Sequence, residues 1–236
     1  MVQMVKKAIS IQLLNELAAK RPVFHSEDDF KFSLAQFVCS ESESVRLEVP
    51  QKINLSYRSS KKKHNSILKY FDMVIFRNGK KIPVELKYKT KKHKESDAYK
   101  DENLDELFSL KDQGARTEGL FSFRKDIYRI EKFLESNNDS EEGYVVILTN
   151  DNNYRKAQKE NTIAFNYSFH NGATIEGRDF GWNYNGEKKN HWTTKGDKSM
   201  ILDLNGSYKI KWEKYENDPN APDFYFLIIQ VKNKFK

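Results

Sequence analysis

The chain has 236 residues, which is enough for one domain with a substantial hydrophobic core. Its 16 Phe and 12 Tyr exclude wholesale disorder, and its single cysteine, Cys39, excludes an internal disulfide and suits a reducing cytoplasm. A net charge of +7 favours a polyanionic partner such as nucleic acid.

Residues 1–25 are predicted to form an N-terminal helical segment. Gln12, Asn15 and Glu16 interrupt its apolar stretch, so we expect an amphipathic helix and neither a signal peptide nor a membrane span. A second helix is predicted from Ser26, an N-cap residue with Asp29 three positions later. Its buried stripe repeats at helical spacing and comprises Phe30, Leu34, Phe37 and Val38.

An acid at the start of the second helix and two strand-like segments come before the middle of the chain. Glu27 lies in the first turn of the second helix, where a carboxylate interacts favourably with the helix dipole. The same acid can project from the helix end toward a sheet, and the two interpretations are compatible. Residues 45–49 and 53–57 are strand-like, and Pro50 between them predicts a bend or a second strand.

Residues 69–89 predict a β-hairpin whose turn fixes the register. Asn78-Gly79 is the dipeptide preferred in a two-residue type I′ turn, because both of its residues need positive φ. Counting outward from the turn, Asp72 faces Glu85, and side-chain alternation puts Lys87 on the same face. The opposite face is wholly apolar and comprises Phe71, Met73, Ile75, Ile82, Val84 and Leu86.

The pair formed by Asp72 and Glu85 needs a compensating charge, because like charges facing each other in a sheet are destabilising. A divalent cation would supply it, since carboxylate oxygens are the ligands that Mg²⁺ and Mn²⁺ prefer. The plainer alternative is the solvated face of an amphipathic hairpin, with Lys81 and Lys87 as counter-charges. The hairpin by itself leaves both interpretations open.

Two basic loops flank the hairpin, one on each side. Basic runs are usually solvated surface, but two of them around one acidic site favour contacts to a phosphate backbone. The lysines concerned are Lys61, Lys62, Lys63, Lys89, Lys91 and Lys92.

Beyond the hairpin, residues 97–110 are polar and weakly periodic, and residues 112–116 predict a loop. A strong helix follows, and its buried stripe comprises Phe123, Ile127, Ile130 and Leu134. Most of the charges on its other side are expected to be solvated. That side carries Arg124, Lys125, Asp126, Arg129, Glu131 and Lys132.

Residues 144–149 are continuously apolar, which is typical of a central strand buried on both faces. Residues 162–206 then predict a loop-rich insertion. Tryptophans in such an insertion, here Trp182 and Trp192, more often form a local core than stack on bases. Two further strands are predicted at residues 207–216 and 224–232.

Taken in order, the elements are helix, strand, two-stranded hairpin, helix and strand, with Asp72 in the second strand and Glu85-Leu86-Lys87 in the third. In this order and these residues the sequence resembles the PD-(D/E)XK nuclease superfamily, over about residues 26–150. The resemblance implies an α/β, restriction-endonuclease-like αβββαβ core with a central mixed sheet at residues 26–160. A C-terminal β-rich extension at residues 161–236 would pack on the same domain.

The resemblance also implies a function, that of a Mg²⁺- or Mn²⁺-dependent endonuclease acting on nucleic acid, with DNA favoured by family habit. Asp72, Glu85 and the Leu86 carbonyl correspond to the metal ligands, and Lys87 corresponds to the lysine of the motif. Glu27 is similar in place to an acid that many members supply from the first core helix. One departure is Phe71, which stands where the family name has proline.

Further candidates lie on or just before the helix that packs beside the hairpin in this fold. They are Gln113, Arg116 and Arg129 as nucleic-acid contacts, with Asp126 beside them.

Two other functions stay open at the level of sequence. A catalytically silent member could use the fold and its basic loops to bind nucleic acid or another protein, although such members usually lose the acid or the lysine. A structural interaction protein with a plain hairpin surface is the third option, since fold does not dictate function. We expect a cytoplasmic location without membrane contact, and a homodimer if both strands of a duplex are cut.

Overall fold

The computed structural model describes residues 8–39, 43–57, 65–92, 99–101, 105–160, 162–179, 200–216 and 219–234. It confirms the expected α/β class, with three α-helices and a central six-stranded sheet in this part of the chain. Lys61, Lys62 and Lys63 lie outside the described residues, as do Trp182 and Trp192. Within the described ranges, no helix combines the length and the hydrophobicity needed to cross a membrane.

The helices are α1 (Ile11–Lys20), α2 (Glu27–Val38) and α3 (Arg116–Ser136). The strands before α3 are β1 (Glu43–Leu55), β2 (Asn65–Arg77), β3 (Lys80–Lys89), β4 (Tyr99–Asp101) and β5 (Glu106–Phe108). The strands after α3 are β6 (Glu142–Thr149), β7 (Thr174–Gly177), β8 (Leu204–Lys209), β9 (Glu213–Tyr215) and β10 (Phe224–Lys232).

The central sheet has the strand order β1, β2, β3, β6, β10, β9. β3 and β6 are parallel and the other neighbours are antiparallel, so the sheet is mixed, as expected. Residues 143–149 of β6 are all buried, which confirms a central strand covered on both faces. β4 with β5, and β7 with β8, form separate two-stranded ribbons.

Helices cover both faces of the sheet. α1 and α2 pack over one apolar core, which includes Leu34 and Val146, and α3 packs over the other, which includes Ile127 and Val145. α2 begins as predicted, because the Ser26 hydroxyl accepts a hydrogen bond from the N–H of Asp29 at 3.1 Å. This cap fixes the first turn of α2, which carries Glu27.

Pro50 does not interrupt the first strand, contrary to the sequence-based expectation. β1 continues through it to Leu55, and Pro50 pairs with Tyr70 of β2. The strand tolerates proline because it lies at the edge of the sheet, where a missing N–H on the open side removes no ladder bond.

The hairpin formed by β2 and β3 confirms the predicted register over most of its length. Asn78 and Gly79 have φ values of 50° and 75°, as a type I′ turn requires. The ladder stops after the pair of Met73 with Val84, however, so the predicted pairing of Asp72 with Glu85 is wrong. The strands separate here because the Asp72 carboxylate accepts a hydrogen bond from the backbone N–H of Leu86.

Side-chain alternation reverses at the same place. Met73 packs in the core under α2, whereas Phe71 packs in the core under α3, so Phe71 does not belong to the predicted apolar face. The side-chain alternation of β1 reverses at the neighbouring position, since Leu47 and Val49 pack against opposite cores. Between them Glu48 has a φ of 51°, which is uncommon for a residue other than glycine. The remaining members of the apolar face pack together as predicted, namely Met73, Ile75, Ile82, Val84 and Leu86.

Three of the six charged side chains on the predicted polar side of α3 are buried, so the expectation that most of them are solvated fails for half of the set. Asp126 is 0% exposed and lies beside Lys87 of β3. Arg124 and Glu131 are each 5% exposed because the C-terminal part of the chain covers them. Arg124 donates to the backbone carbonyls of Glu176, Gly177 and Leu202, and Glu131 accepts from the N–H groups of Asn205 and Gly206 and from the Tyr208 hydroxyl.

The last third of the chain adds strands to the central sheet. β10 has the predicted bounds and pairs with β6. The strand predicted at residues 207–216 is instead two strands, because β8 pairs with β7 while β9 pairs with β10. The backbone of Ile210 bonds to Gly172 and Ala173, which keeps the first part of this segment on the β7 side.

Candidate active site

β2 and β3 stop pairing beyond Met73 and Val84, and the space between the two diverging strands is called the gap below. Asp72 is the first residue of β2 that borders it. Asp72 Oδ2 accepts a hydrogen bond from the N–H of Leu86 at 2.8 Å. This bond fixes the carboxylate against the part of β3 that carries Glu85 and Lys87. The Asp72 side chain is 20% exposed, so solvent reaches it.

Glu85 is the buried acid of the gap, with a side chain that is 1% exposed. Its Oε1 lies 3.0 Å from Nη2 of Arg129, yet neither carboxylate oxygen accepts a hydrogen bond of acceptable geometry. Burial raises the pKa of Glu85 well above its ordinary value; Arg129 opposes the increase, and Asp126 and Asp72 add to it. Glu85 therefore favours either a proton or a closer cation.

Lys87 lies at the centre of the cluster. Its Nζ is 3.1 Å from Oδ2 of Asp126 and 3.9 Å from both Oδ2 of Asp72 and Oε1 of Glu27. It also donates to the Leu86 carbonyl at 2.7 Å. Burial acts to lower the pKa of Lys87, but the surrounding carboxylates outweigh burial and raise it above its ordinary value. Lys87 is therefore a fixed cation at neutral pH.

Glu27 reaches the cluster from the first turn of α2. Its Oε2 accepts a hydrogen bond from the N–H of Tyr88 at 2.9 Å, while Oε1 faces Lys87. The Tyr88 hydroxyl in turn donates to the Phe24 carbonyl at 2.8 Å. These bonds hold the start of α2 against β3, and the Glu27 side chain is still 38% exposed.

α3 supplies Asp126 and Arg129 from the opposite layer. Both oxygens of Asp126 lack a hydrogen bond of acceptable geometry, although Lys87 is at ion-pair distance. Arg129 Nη1 lies 4.0 Å from Asp126 Oδ1. Arg129 also donates to the Tyr70 carbonyl and lies over the Phe71 ring, 5.0 Å from its centre. The structure thus brings both α3 candidates into the cluster.

Two charged residues that the sequence did not single out, Lys31 and Glu48, lie beside the cluster. The Lys31 side chain is 9% exposed, and its Nζ contacts Glu48 and lies 2.8 Å from Asp28 Oδ1. Burial acts to lower the pKa of Lys31, but these two acids and the nearby Asp72 raise it. Helical spacing could have found Lys31, because it lies one turn after Glu27.

Three of the lysines predicted to contact phosphates, Lys89, Lys91 and Lys92, are among the described residues and lie outside this cluster, at the end of β3. Lys89 is half-buried, and Lys91 and Lys92 are exposed. The backbone N–H of Lys91 donates to the Asn150 side chain at 2.7 Å, and the same side chain donates back to the Lys91 carbonyl at 2.9 Å. The ends of β3 and β6 are therefore joined, and the role of these lysines stays a prediction.

Gln113 and Arg116 also lie outside the cluster, near the start of α3. Arg116 pairs with Asp112 at 3.3 Å and with the buried Asp151 at 2.5 Å, and these contacts raise its pKa. The N–H of Gln113 donates to the Thr90 carbonyl at 3.0 Å. Their contact with nucleic acid likewise stays a prediction.

The cluster carries more negative than positive charge. Four carboxylates surround the cations Lys87 and Arg129, so two negative charges stay uncompensated when every group is ionised. A divalent cation matches that excess, and oxygen atoms are the ligands it prefers. The carboxylates belong to Glu27, Asp72, Glu85 and Asp126.

The donor set is nevertheless small. Within the described ranges, no group of three or more His, Cys, Asp or Glu side chains stands at metal-binding spacing. A cation held by Asp72, Glu85 and the Leu86 carbonyl would therefore complete its shell with water or substrate oxygens, as Mg²⁺ commonly does.

Comparisons with protein-family models, with curated proteins and with solved structures find no match for this chain, so its function has to be inferred from the geometry of the cluster.

Proposed function

We propose that this chain is a metal-dependent nuclease with a restriction-endonuclease-like core, which hydrolyses phosphodiester bonds of nucleic acid, with DNA as the favoured substrate. One observation carries the proposal: Lys87 Nζ lies within 3.9 Å of carboxylates from α2, β2 and α3, next to the buried Glu85. Such a cluster supplies both oxygen ligands for a divalent cation and a fixed positive charge, which phosphodiester hydrolysis uses.

Asp72, Glu85 and the Leu86 carbonyl would hold one Mg²⁺ or Mn²⁺. When bound, such an ion polarises a phosphate oxygen and lowers the pKa of a coordinated water. The Glu85 oxygens fit this role because they accept no other hydrogen bond. The Leu86 carbonyl accepts one bond from Lys87 and keeps a second lone pair.

Lys87 would orient the attacking water and stabilise the negative charge that develops on the phosphate. Its raised pKa keeps it protonated at neutral pH, so it is suited to electrostatic stabilisation rather than to proton abstraction. Glu27 and Asp126 hold the ammonium group from opposite layers of the fold. Glu27, which is partly exposed, would also reach the cation through water.

A catalytically silent nucleic-acid-binding module is the second candidate. The observation in its favour is that Lys87 and Arg129 already neutralise part of the acidic cluster, while the described residues offer no ready group of three metal-binding side chains. Such a module would bind nucleic acid without metal, through charges that salt screens strongly.

The deciding experiment is cleavage of supercoiled plasmid and of single-stranded DNA in MgCl₂ or MnCl₂. Asp72→Asn and Lys87→Ala are compared with the wild type, and each has a matched control. Lys80→Ala removes a lysine at the opposite end of β3, where it pairs with Glu141. Asp223→Asn removes an aspartate whose side chain is 74% exposed.

We expect the wild type and both controls to cleave, and both site variants to lose at least about 100-fold in rate, because each removes a ligand or the stabilising charge. EDTA should abolish cleavage. Equal cleavage by all five proteins would exclude this site as its source. Absence of cleavage together with metal-independent, salt-sensitive DNA binding would favour the silent module.

A further inference from the structure

Arg129 occupies an unexpected position for a nucleic-acid contact. Its Nη2 lies 3.0 Å from Oε1 of Glu85 and donates to the Tyr70 carbonyl, and its side chain is only 14% exposed. The guanidinium group therefore points into the cluster and contacts the carboxylate that the proposed function assigns to the metal.

The contact with Glu85 is electrostatic rather than a well-formed fork. Neither oxygen of Glu85 accepts a hydrogen bond of acceptable geometry, although the distance is short. A bidentate arginine–carboxylate pair would satisfy both oxygens. Arg129 thus contributes positive charge to a buried carboxylate and leaves its lone pairs available.

Arg129 is also held independently of Glu85. The Tyr70 carbonyl and the Phe71 ring contact the guanidinium group, and the fold positions both of them at the point where β2 leaves β3. Its location would therefore persist when another cation takes over the carboxylate.

We propose that Arg129 substitutes for the divalent cation in the metal-free protein: it places its positive charge beside Glu85 there, and it competes with the cation for that carboxylate. The inference rests on the proposed metal site. It assigns to Arg129 a role in metal loading rather than in contact with nucleic acid. Free protein should bind Mg²⁺ or Mn²⁺ weakly, because each binding event works against a positive charge fixed close to the ligand.

The test measures Mn²⁺ binding rather than activity. Mn²⁺ affinity is measured by titration calorimetry at pH 8, and thermal unfolding is followed with EDTA or with MnCl₂, for the wild type, Arg129→Gln and Arg129→Lys. Lys132→Gln is the matched control, because Lys132 lies one turn further along α3 and pairs with Glu135 at 2.7 Å instead. The double variant Arg129→Gln/Glu85→Gln removes both partners.

We expect Arg129→Gln to unfold at a lower temperature than the wild type in EDTA, and to bind Mn²⁺ at least about tenfold more tightly. Its melting temperature should consequently rise more on adding Mn²⁺ than that of the wild type or of Lys132→Gln. Arg129→Lys, with a shorter and less fixed cation, should fall between the two. The double variant should lose the enhanced response.

Unchanged or weaker Mn²⁺ binding by Arg129→Gln would overturn the inference, and so would an enhanced response that persists in the double variant. If Arg129→Gln does not fold even with Mn²⁺, Arg129→Lys decides by the same criteria. These outcomes leave the proposed function standing as long as the wild type binds Mn²⁺ and cleaves. A wild type that neither binds Mn²⁺ nor cleaves would instead remove the metal site itself.

Discussion

At the scale of single residues, the site is a set of buried charges whose energies depend on one another. Glu85 and Asp126 are each 1% exposed or less, and an unpaired charge in such a place costs several kcal/mol. Lys87 and Arg129 reduce that cost without providing well-formed hydrogen bonds. The protein therefore retains an arrangement that is poor for stability, which is typical of functional sites.

Glu85→Gln is predicted to stabilise the metal-free protein at neutral and alkaline pH. Burial raises the folded-state pKa of Glu85 above its ordinary value of 4.5, so the folded state holds its proton where the unfolded state has lost it. Stability from this residue is therefore complete below pH 4.5 and falls as pH rises through the raised pKa. The amide, which does not titrate, avoids this loss.

The measurement is urea unfolding in EDTA at pH 4 and pH 8. Glu85→Gln should unfold at a higher urea concentration than the wild type at pH 8 and at the same urea concentration at pH 4. Glu160→Gln, at an exposed position, is the control. A variant that loses stability at pH 8 would show that the ionised carboxylate and Arg129 form a net stabilising pair.

At the scale of elements, the turn of the hairpin is the most predictable feature of the sequence. The point at Asp72 where β2 leaves β3 is the least predictable one. Asn78-Gly79 determines the turn, and local backbone preference is enough to find it. The departure at Asp72 depends on a carboxylate bond to Leu86 and on the left-handed φ of Glu48. Neither leaves a pattern in the spacing of apolar residues.

Gly79→Ala should destabilise the protein by about 1 kcal/mol, because a residue with a Cβ is strained at a φ of 75°. The new methyl group meets no atom within 4 Å, so the cost comes from the backbone alone. Gly114→Ala is the matched control, since its methyl group also meets nothing and its φ is not positive. Urea unfolding measures both, and equal stabilities would contradict a type I′ turn that determines the register.

Helical periodicity accounts for one of the buried charges of α3 but not for the other two. Asp126 follows Phe123 by three residues and precedes Ile130 by four, so its spacing places it on the buried stripe despite its charge. The burial of Arg124 and Glu131, by contrast, depends on residues from the C-terminal third, such as Leu202 and Gly206. A single element's pattern contains no information about such distant partners.

At the scale of the whole molecule, the central sheet contains strand pairings that the sequence does not predict. The order of α2, β1, β2, β3, α3 and β6 follows from local patterns, and it determines where Asp72, Glu85 and Lys87 meet. The pairing of β10 with β6 and the packing of Leu227 and Ile229 under α3 are long-range contacts. Turn signals and hydrophobic periodicity describe only local structure, so they do not predict these contacts.

A chain truncated after residue 160 is accordingly predicted not to fold cooperatively. It would lose β10 and expose one side of β6, and each large buried apolar side chain that is removed or exposed costs about 1.5–3 kcal/mol. A few of these equal the whole stability of a typical domain. Circular dichroism and urea unfolding, with the full chain as control, measure the effect. A sharp, cooperative transition in the fragment would establish residues 1–160 as an independent unit.

The most direct measurement is anomalous X-ray scattering from crystals of the protein grown with MnCl₂ and a short DNA duplex. The proposed site predicts one manganese peak bonded to Asp72, Glu85 and the Leu86 carbonyl, at distances of roughly 2.0–2.2 Å. The same crystals of Asp72→Asn should lack the peak or hold it at much reduced occupancy. Manganese bound only elsewhere on the protein, with Arg129 still on Glu85 beside bound DNA, would contradict a metal-dependent nuclease site in this gap.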